Sequence, residues 1–304
     1  MTDTRTVTGA APSRGRTRAA GPWLLVTPAG LIVVALALVP LCYGVYLSFT
    51  NWSLLESPTP YWQGLDGYAE LMGDASFWSA LSRTAEWTVG TMAIEVVLGL
   101  PIALLLHRRT PVTGFVSGLI LLPWVTPFVV LAYSWTYLYS AQFGMFHTLL
   151  QAVHLVGPAS PLSTTELALP AIVLISGWKG MPFMAVALLA TRKSIPDELY
   201  EAASIDGAGP FGSFLRITLP LMMRTIGAMS FVLGVLAFYS FDLVWLTTKG
   251  GPGDSSTILG VQLYKAFFSS GRPGYAAAMG TFTMVLIILA ALMIPITRRL
   301  RRAS

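Results

Sequence analysis

Residues 194–220 read SIPDELYEAASIDGAGPFGSFLRITLP, a polar helix–turn–helix pattern in an otherwise apolar chain. Ser194 is a favourable N-cap, Pro196 suits a first helical turn, and Asp197 stands three residues after the cap, at capping-box spacing. The pattern therefore predicts a helix that begins at Ser194. Gly207 supplies the backbone freedom that ends this helix. A polar segment between apolar ones is expected to lie in the aqueous phase and to contact a partner there.

The composition of the 304-residue chain is that of an integral membrane protein. Hydrophobic residues make up 54% and charged residues 11% of it, far from the balance of a soluble domain. A helix needs about 20 apolar residues to cross a hydrocarbon core, and six stretches are long enough. These predicted spans are residues 23–49, 81–106, 115–139, 167–190, 225–246 and 275–297. We therefore predict an all-α membrane protein, a six-helix transmembrane bundle.

Positive charge lies mostly on one side of the predicted spans. Of the 19 Lys and Arg residues, 14 precede the first span, follow the second, lie within or beside residues 194–220, or end the chain, whereas residues 51–80 and 140–166 contain none. By the positive-inside rule, both termini and residues 194–220 are predicted to be cytoplasmic. The net charge of +5 then reflects topology, with attraction to anionic membrane lipid as a by-product, and gives no reason to expect nucleic-acid binding.

The chain divides into a short tail and one membrane domain. Residues 1–20 are rich in Thr, Ala, Gly and Arg, a composition that predicts a disordered cytoplasmic tail. Residues 21–304 form the six-helix domain, with a cytoplasmic helix at 194–210 between the fourth and fifth spans. The single cysteine, Cys42, permits no internal disulfide.

Several motifs resemble those of one transporter family. The polar segment contains the residues Glu201, Ala202, Ala203, Asp206, Gly207, Ala208, Ile217, Leu219 and Pro220. Together they resemble the EAA signature of permease subunits in bacterial ABC importers, the binding-protein-dependent transport system inner membrane component family. GLPIALLLH at 99–107, LLPWVTPFVV at 121–130, SGWKGMPF at 176–183 and FDLVWLTTKGGPGDSST at 241–257 resemble its carbohydrate-uptake branch. The similarity runs from about residue 23 to residue 297.

This resemblance implies a role for the polar segment and a set of partners. The cytoplasmic helix would be a coupling helix that docks in a cleft of an ABC ATPase dimer. Its coupling residues would be Glu198, Glu201, Ala202, Ala203, Asp206, Gly207 and Ala208. The chain itself would bind no cofactor, because ATP is hydrolysed by the partner subunit. The system would also contain a second permease, homologous or identical, an extracellular solute-binding protein and a sugar substrate. The chain itself would lie in the bacterial plasma membrane as a multi-pass protein.

Three positions depart from the family pattern. Arg83 stands where Asn is common, and Lys249 is inserted before a family-like Gly-Gly-Pro. Thr191-Arg192-Lys193 stands where Gly-Leu-Gln is common, which adds charge near the expected ATPase contact.

An enzymatic function is not indicated by any motif. The chain has no G-x-x-x-x-G-K-[ST] loop, so it is not expected to hydrolyse ATP itself. His107, His147 and His154 form no H-E-x-x-H pattern, so a metal-dependent hydrolase is not expected either.

Ionisable residues inside the spans are candidates for the substrate path. Glu95 and Lys179 each lie about twelve residues from the outer end of their spans, so a rise of about 1.5 Å per residue puts them at similar depth. Two interpretations stay open: a buried ion pair, or a polar substrate cavity that one of them faces. Because sugar sites use aromatic faces, the further candidates are Trp124, Trp178 and Tyr239, together with Asp242 in the family-like segment before Gly250.

The hypothesis is therefore an ATP-driven importer of sugars or related carbohydrates. Two alternatives remain. One is an ABC permease for another polar solute such as glycerol phosphate, which would need cationic groups near the site, where Lys179 is the one candidate. The other is a secondary transporter, for which inverted repeats would be expected. The sequence names neither the sugar nor the partner genes.

Overall fold

The computed structural model describes residues 21–56, 59–108 and 113–303, and within these ranges the regular structure is helical. The predicted tail, residues 1–20, lies outside the described residues. The helices in chain order are α1 (Gly21–Leu47), α2 (Asp66–Gly73), α3 (Ala75–His107), α4 (Thr113–Val125), α5 (Phe128–Leu138), α6 (Met145–Ala152), α7 (Ala168–Lys193), α8 (Glu198–Ile205), α9 (Pro210–Ser213), α10 (Leu219–Phe238), α11 (Asp242–Thr247), α12 (Leu259–Tyr264) and α13 (Pro273–Ala303). A short 3₁₀ turn precedes α7, and single π turns join α9 to α10 and follow α12.

Several helices are long and apolar enough to cross a membrane. Four pass this test over the described residues, namely Gly30–Leu47 of α1, all of α3, all of α7, and the continuous helix Pro210–Phe238. The number of candidate spans rises to five if the bent pair α4 and α5 is counted as one span. Helix α13 contributes a shorter apolar stretch, Pro273–Leu289. The all-α, multi-span prediction is confirmed. The count of six and the sidedness of the termini stay predictions.

The predicted third span, 115–139, is wrong as one continuous helix. Its two pieces, Gly114–Val125 and Phe128–Leu138, are bent by 97°. The break falls at Pro127, which has extended backbone angles of φ −57° and ψ 144°. Proline lacks an amide hydrogen and disfavours helical geometry at the preceding residue, Thr126, so the ladder of hydrogen bonds stops there.

The predicted fifth span, 225–246, is also interrupted. Helix α10 ends at Phe238, and α11 is a separate helix after a break of three residues. Nε1 of Trp87 on α3 donates to the carbonyl of Ala237 over 3.0 Å. The amide of Ser240 donates to the same carbonyl over 3.0 Å, so this carbonyl of the last turn has partners where α10 ends.

Helices α3 and α7 form the centre of the bundle and approach each other closely at glycines. A side-chain carbon at Gly90 would lie 2.9 Å from Cγ1 of Val173, and one at Gly177 would lie 2.5 Å from Cβ of Ile94. Small residues let two membrane helices approach and gain van der Waals contact where no hydrophobic effect drives them together. This contact fixes the depth of residues on α3 relative to those on α7.

Candidate functional site

The short helix α8 begins later than the sequence predicts. It starts at Glu198, and Asp197 in the N-cap position makes no side-chain cap. The expectation that Ser194 begins this helix is wrong, because α7 continues to Lys193 and Ser194 lies at its end. The hydroxyl of Ser194 donates to the carbonyl of Thr191 over 2.7 Å. It therefore stabilises the end of α7.

The C-terminus of α8 matches the prediction for Gly207. This residue has φ +78°, a left-handed conformation that favours glycine. The amide of Gly207 donates to the carbonyl of Ser204 over 3.1 Å, and the amide of Ala208 donates to that of Ala203 over 2.8 Å. This is the paired hydrogen bonding of a Schellman cap, which fixes the direction in which the chain leaves the helix.

The outer surface of α8 is accessible and mixes acidic with apolar side chains. No residue of α8 is buried. Of the coupling candidates, Glu198, Glu201, Ala202, Asp206 and Gly207 are exposed, and Ala203 and Ala208 are half-buried. Ile205 is 87% exposed and Phe211 is 74% exposed. Leu215, which follows α9, is exposed as well.

A cavity of about 500 Å³ lies among α3, the bend of α4 and α5, α7 and α10. Its polar and aromatic lining includes Glu95, Trp124, Phe128, Ser176, Lys179 and Phe183. Three sequence candidates, Glu95, Trp124 and Lys179, are thus brought together. Sequence reasoning missed Ser176 and Phe183, although both lie three or four residues from Lys179 and therefore on the same face of α7.

Glu95 places a buried carboxyl group at this cavity. The residue is 4% exposed, and its Oε2 has no hydrogen-bond partner among the described residues. A side-chain carbon at Gly180 would overlap Oε1 of Glu95 and lie 2.9 Å from its Cδ. Gly180 therefore provides the space in which the carboxyl group sits against α7.

Lys179 does not pair with Glu95, so the ion-pair interpretation is wrong. Its Nζ donates instead to three backbone carbonyls of the bend, those of Pro123 (3.3 Å), Trp124 (3.0 Å) and Thr126 (2.6 Å). The ammonium also lies 4.7 Å from the ring centroid of Phe128. A cation at these carbonyls acts as a C-terminal cap of α4 and is favoured by the helix dipole.

The three aromatic candidates lie in different parts of the structure. Trp124, 49% exposed, meets Phe183 edge to face at 4.8 Å on the cavity lining. Trp178 packs beside Trp135 at 5.6 Å against the apolar core. Tyr239 is 56% exposed at the end of α10. Trp178, Tyr239 and the exposed Asp242 lie outside the lining of the Glu95 cavity.

The far end of α10 leads through α11 into an ordered polar loop at residues 248–258. Nζ of Lys265 lies 2.6 Å from Oδ1 of Asp254 and 3.2 Å from the hydroxyl of Thr257. The Lys265 ammonium donates to the carboxylate and holds the pKa of Asp254 below its ordinary value. Sequence reasoning did not single out this pair, although the run GGPGDSST is dense in turn-forming and polar residues.

These features define a class of protein. A bundle of membrane-spanning helices lines an open cavity with one buried carboxyl group, and a short accessible helix follows one of the spans. That is the arrangement of a multi-pass transport permease. Residues 95–302 match the model of the family described as binding-protein-dependent transport system inner membrane component. The chain belongs to this family, which confirms the resemblance, the plasma-membrane location and a transport rather than an enzymatic role.

Curated relatives are similar over nearly the whole chain. The trehalose/maltose transport system permease protein of Thermococcus litoralis is 30% identical over 266 residues, which are 88% of this chain and 89% of that protein. The diacetylchitobiose uptake system permease protein of Streptomyces coelicolor is 30% identical over 288 residues, 92% of this chain and 88% of that protein.

Solved structures share the fold at lower identity. A chain of a bacterial ABC transporter involved in the import of the acidic polysaccharide alginate has a TM-score of 0.72 at 22% identity, covering 92% of this chain and 96% of that one. A second structure, in complex with an alginate pentasaccharide-bound periplasmic protein, has a TM-score of 0.74 at 21% identity and the same coverage. Likeness at this identity shows the fold.

Proposed function

We propose that this chain is the permease subunit of an ATP-driven importer for sugars or related carbohydrates. It would form the translocation path with a second permease subunit. A pair of cytoplasmic ATPases would hydrolyse ATP and move this path through α8. The chain itself would hold no cofactor, and an extracellular binding protein would deliver the solute.

The observation that carries the proposal is the Glu95 cavity. Oε2 of Glu95 has no hydrogen-bond partner among the described residues, so it is free to accept a hydrogen bond from a solute hydroxyl. Buried polar groups in proteins generally have such a partner. The faces of Trp124 and Phe183 offer apolar surface beside it, which suits the C–H faces of a sugar ring. Because the Lys179 ammonium is engaged by three carbonyls, the cavity favours a hydroxylated solute over a phosphorylated one.

The relatives support the same solute class. Those with a stated solute include permeases for trehalose and maltose, for diacetylchitobiose and for starch degradation products. The periplasmic protein in the solved alginate transporter is oligosaccharide-bound, which supports delivery by a binding protein here.

The coupling role of α8 is supported by its surface. Glu198, Glu201 and Asp206 offer carboxylates to a basic cleft, while Ile205 and Phe211 offer apolar side chains that have no cover from this chain. Such a mixture of charge and exposed apolar groups is typical of a docking surface. The Schellman cap at Gly207 would transmit movement of α8 into α9 and α10.

The testing experiment is purification of the tagged chain from its native membrane, followed by reconstitution. We expect a Walker-motif ATPase and a second permease to copurify. Proteoliposomes with enclosed ATP should take up radiolabelled maltose, trehalose or diacetylchitobiose when the matching binding protein is added. Uptake of glycerol 3-phosphate alone would support the other polar-solute permease. Purification without an ATPase, with ATP-insensitive uptake, would support a secondary transporter.

A further inference from the structure

A second cavity, of about 710 Å³, lies beneath α8 where α3 and α7 end. We name it the basic notch. Its polar lining includes Arg108, Arg192, Tyr200, Ser204, Ser213 and Thr218, and no carboxylate is among the described residues that line it. On the α3 side it is bordered by the apolar residues Pro101, Leu104 and Leu105.

Arg192 presents a fixed guanidinium group in the notch. The group stacks on Tyr200 at 4.3 Å from the ring centroid, and the Tyr200 hydroxyl shares a 2.9 Å hydrogen bond with Thr218. Nη1 of Arg192 is buried and makes no hydrogen bond with any described residue. The guanidinium group therefore keeps donor capacity that the described residues do not use. A guanidinium held in one orientation also loses little freedom when it binds.

The lining indicates a phosphate group as the ligand. Arginine matches the oxygen geometry of a phosphate with two parallel hydrogen bonds. Arg108 adds a second cation, and the hydroxyls of Ser204, Ser213 and Thr218 can donate to the remaining oxygens. Because no carboxylate is among the described residues that line the notch, the charge of this lining is complementary to an anion.

The position of the notch indicates a lipid as the source of that phosphate. Arg108 directly follows α3, and Arg192 lies in the last turn of α7, so both cations stand at the ends of membrane-spanning helices. Leu105, 65% exposed on α3, continues the notch toward the hydrocarbon. Basic pockets between spans at a membrane surface suit anionic headgroups, with apolar surface beside the acyl chains.

We propose that the basic notch binds the phosphate headgroup of an anionic phospholipid, with Arg192 as its principal ligand. Bound there, the lipid contacts α8, α7 and the start of α10 at once, so it stabilises the position of α8 against the bundle. The site is independent of which solute the protein transports.

The test measures lipid adducts of the full-length chain by native mass spectrometry. The delipidated protein is titrated in detergent with phosphatidylglycerol and, separately, with phosphatidylcholine. Arg192→Gln is compared with Lys193→Gln, which removes the same charge from the exposed neighbouring residue outside the notch. We expect preferential binding of phosphatidylglycerol, about tenfold weaker in Arg192→Gln and unchanged in Lys193→Gln.

Each other outcome overturns the assignment. Equal affinities of the two variants for phosphatidylglycerol would mean that lipid binding depends only on the overall charge of the protein. Arg192-dependent stabilisation of the lipid-free protein by inorganic phosphate, without retained phosphatidylglycerol, would identify a free-anion site. If Arg192→Gln does not remain monodisperse, Arg108→Gln takes its place, and normal lipid binding in that variant contradicts the proposal.

Discussion

Nζ of Lys179 lies 2.6 Å from the carbonyl oxygen of Thr126, so a side chain of α7 holds the bend between α4 and α5. The same ammonium satisfies the carbonyls of Trp124 and Pro123. These carbonyls lack the helical partners that a continuous span would supply. Non-helical backbone at membrane depth is tolerated where protein groups or a water-filled cavity satisfy it, and here Lys179 supplies the protein partner of all three carbonyls.

Replacing Lys179 by Met should destabilise the protein while keeping a side chain of similar length. Loss of charge-assisted bonds to carbonyls is expected to cost about 2–3 kcal/mol. The measurement is the thermal unfolding temperature of the detergent-solubilised protein. Lys193→Met, at the exposed end of the same helix, is the matched control and should melt like the wild type. A Lys179→Met variant as stable as this control would show that the bend holds without the lysine.

Gly180→Ala should alter solute affinity through Glu95. The added methyl group overlaps Oε1 of Glu95, and the flexible carboxyl end has to move into the cavity. We expect weaker solute binding, seen as a raised KM for uptake. Residues in contact are coupled, so in a Glu95→Ala background the same Gly180→Ala change should have little further effect. Additive losses in the double variant would contradict this relationship.

Gly207→Val should leave membrane insertion intact and abolish uptake. A side-chain carbon at Gly207 meets no atom within 4 Å, yet its φ of +78° strains a β-branched residue by roughly 1–3 kcal/mol. Gly209→Val is the control, because its surroundings are equally open and its φ is −73°. Uptake and ATPase copurification are measured for both. Normal uptake in Gly207→Val would remove the support for movement through α8.

The Lys265–Asp254 pair should make the order of the loop at 248–258 depend on pH. A carboxyl whose folded pKa is depressed contributes stability above its unfolded pKa, about 4, and loses it as pH falls through the folded value. Hydrogen exchange of the loop, corrected for intrinsic rates, should therefore be slower than in Asp254→Asn at neutral pH. The difference should begin to shrink as the pH falls below about 4 and should disappear only below the depressed folded pKa of Asp254.

The control for the pH experiment is Asp242→Asn. Asp242 is exposed at the start of α11, and its change should leave exchange in the loop unaltered. Because Asp254 is 66% exposed, the pair contributes little to global stability. A pH-independent difference between the wild type and Asp254→Asn would show that the carboxylate charge is not what orders the loop.

The sequence predicts the long helices because apolar length and membrane thickness are directly related. It fails at the two breaks, where local signals compete with that length. Pro127 lies in an apolar run that otherwise fits one span, and the last turn of α10 accepts a hydrogen bond from Trp87, 150 residues earlier in the chain. Contacts of that separation are not visible in a local pattern.

The sequence predicts the depth of Glu95 and Lys179 in the membrane, but not the groups that their side chains contact. Counting residues places Glu95 and Lys179 at the same depth, and the contact of Glu95 with Gly180 bears this out. The direction of the Lys179 side chain depends on the carbonyls released at Pro127, which required the bend to be known. Ser194 was misassigned for a similar reason, because a hydroxyl suits the end of α7 as well as the start of the next helix.

The close approach of α3 and α7 limits how this protein can change shape. Gly90 and Gly177 leave no room for even a methyl group between the two helices, and side chains in such contact cannot slide past one another without leaving their packing. The two helices therefore move together as one rigid body. Any opening of the Glu95 cavity has to come from its other walls, and the bend held by Lys179 is the wall already divided into two segments.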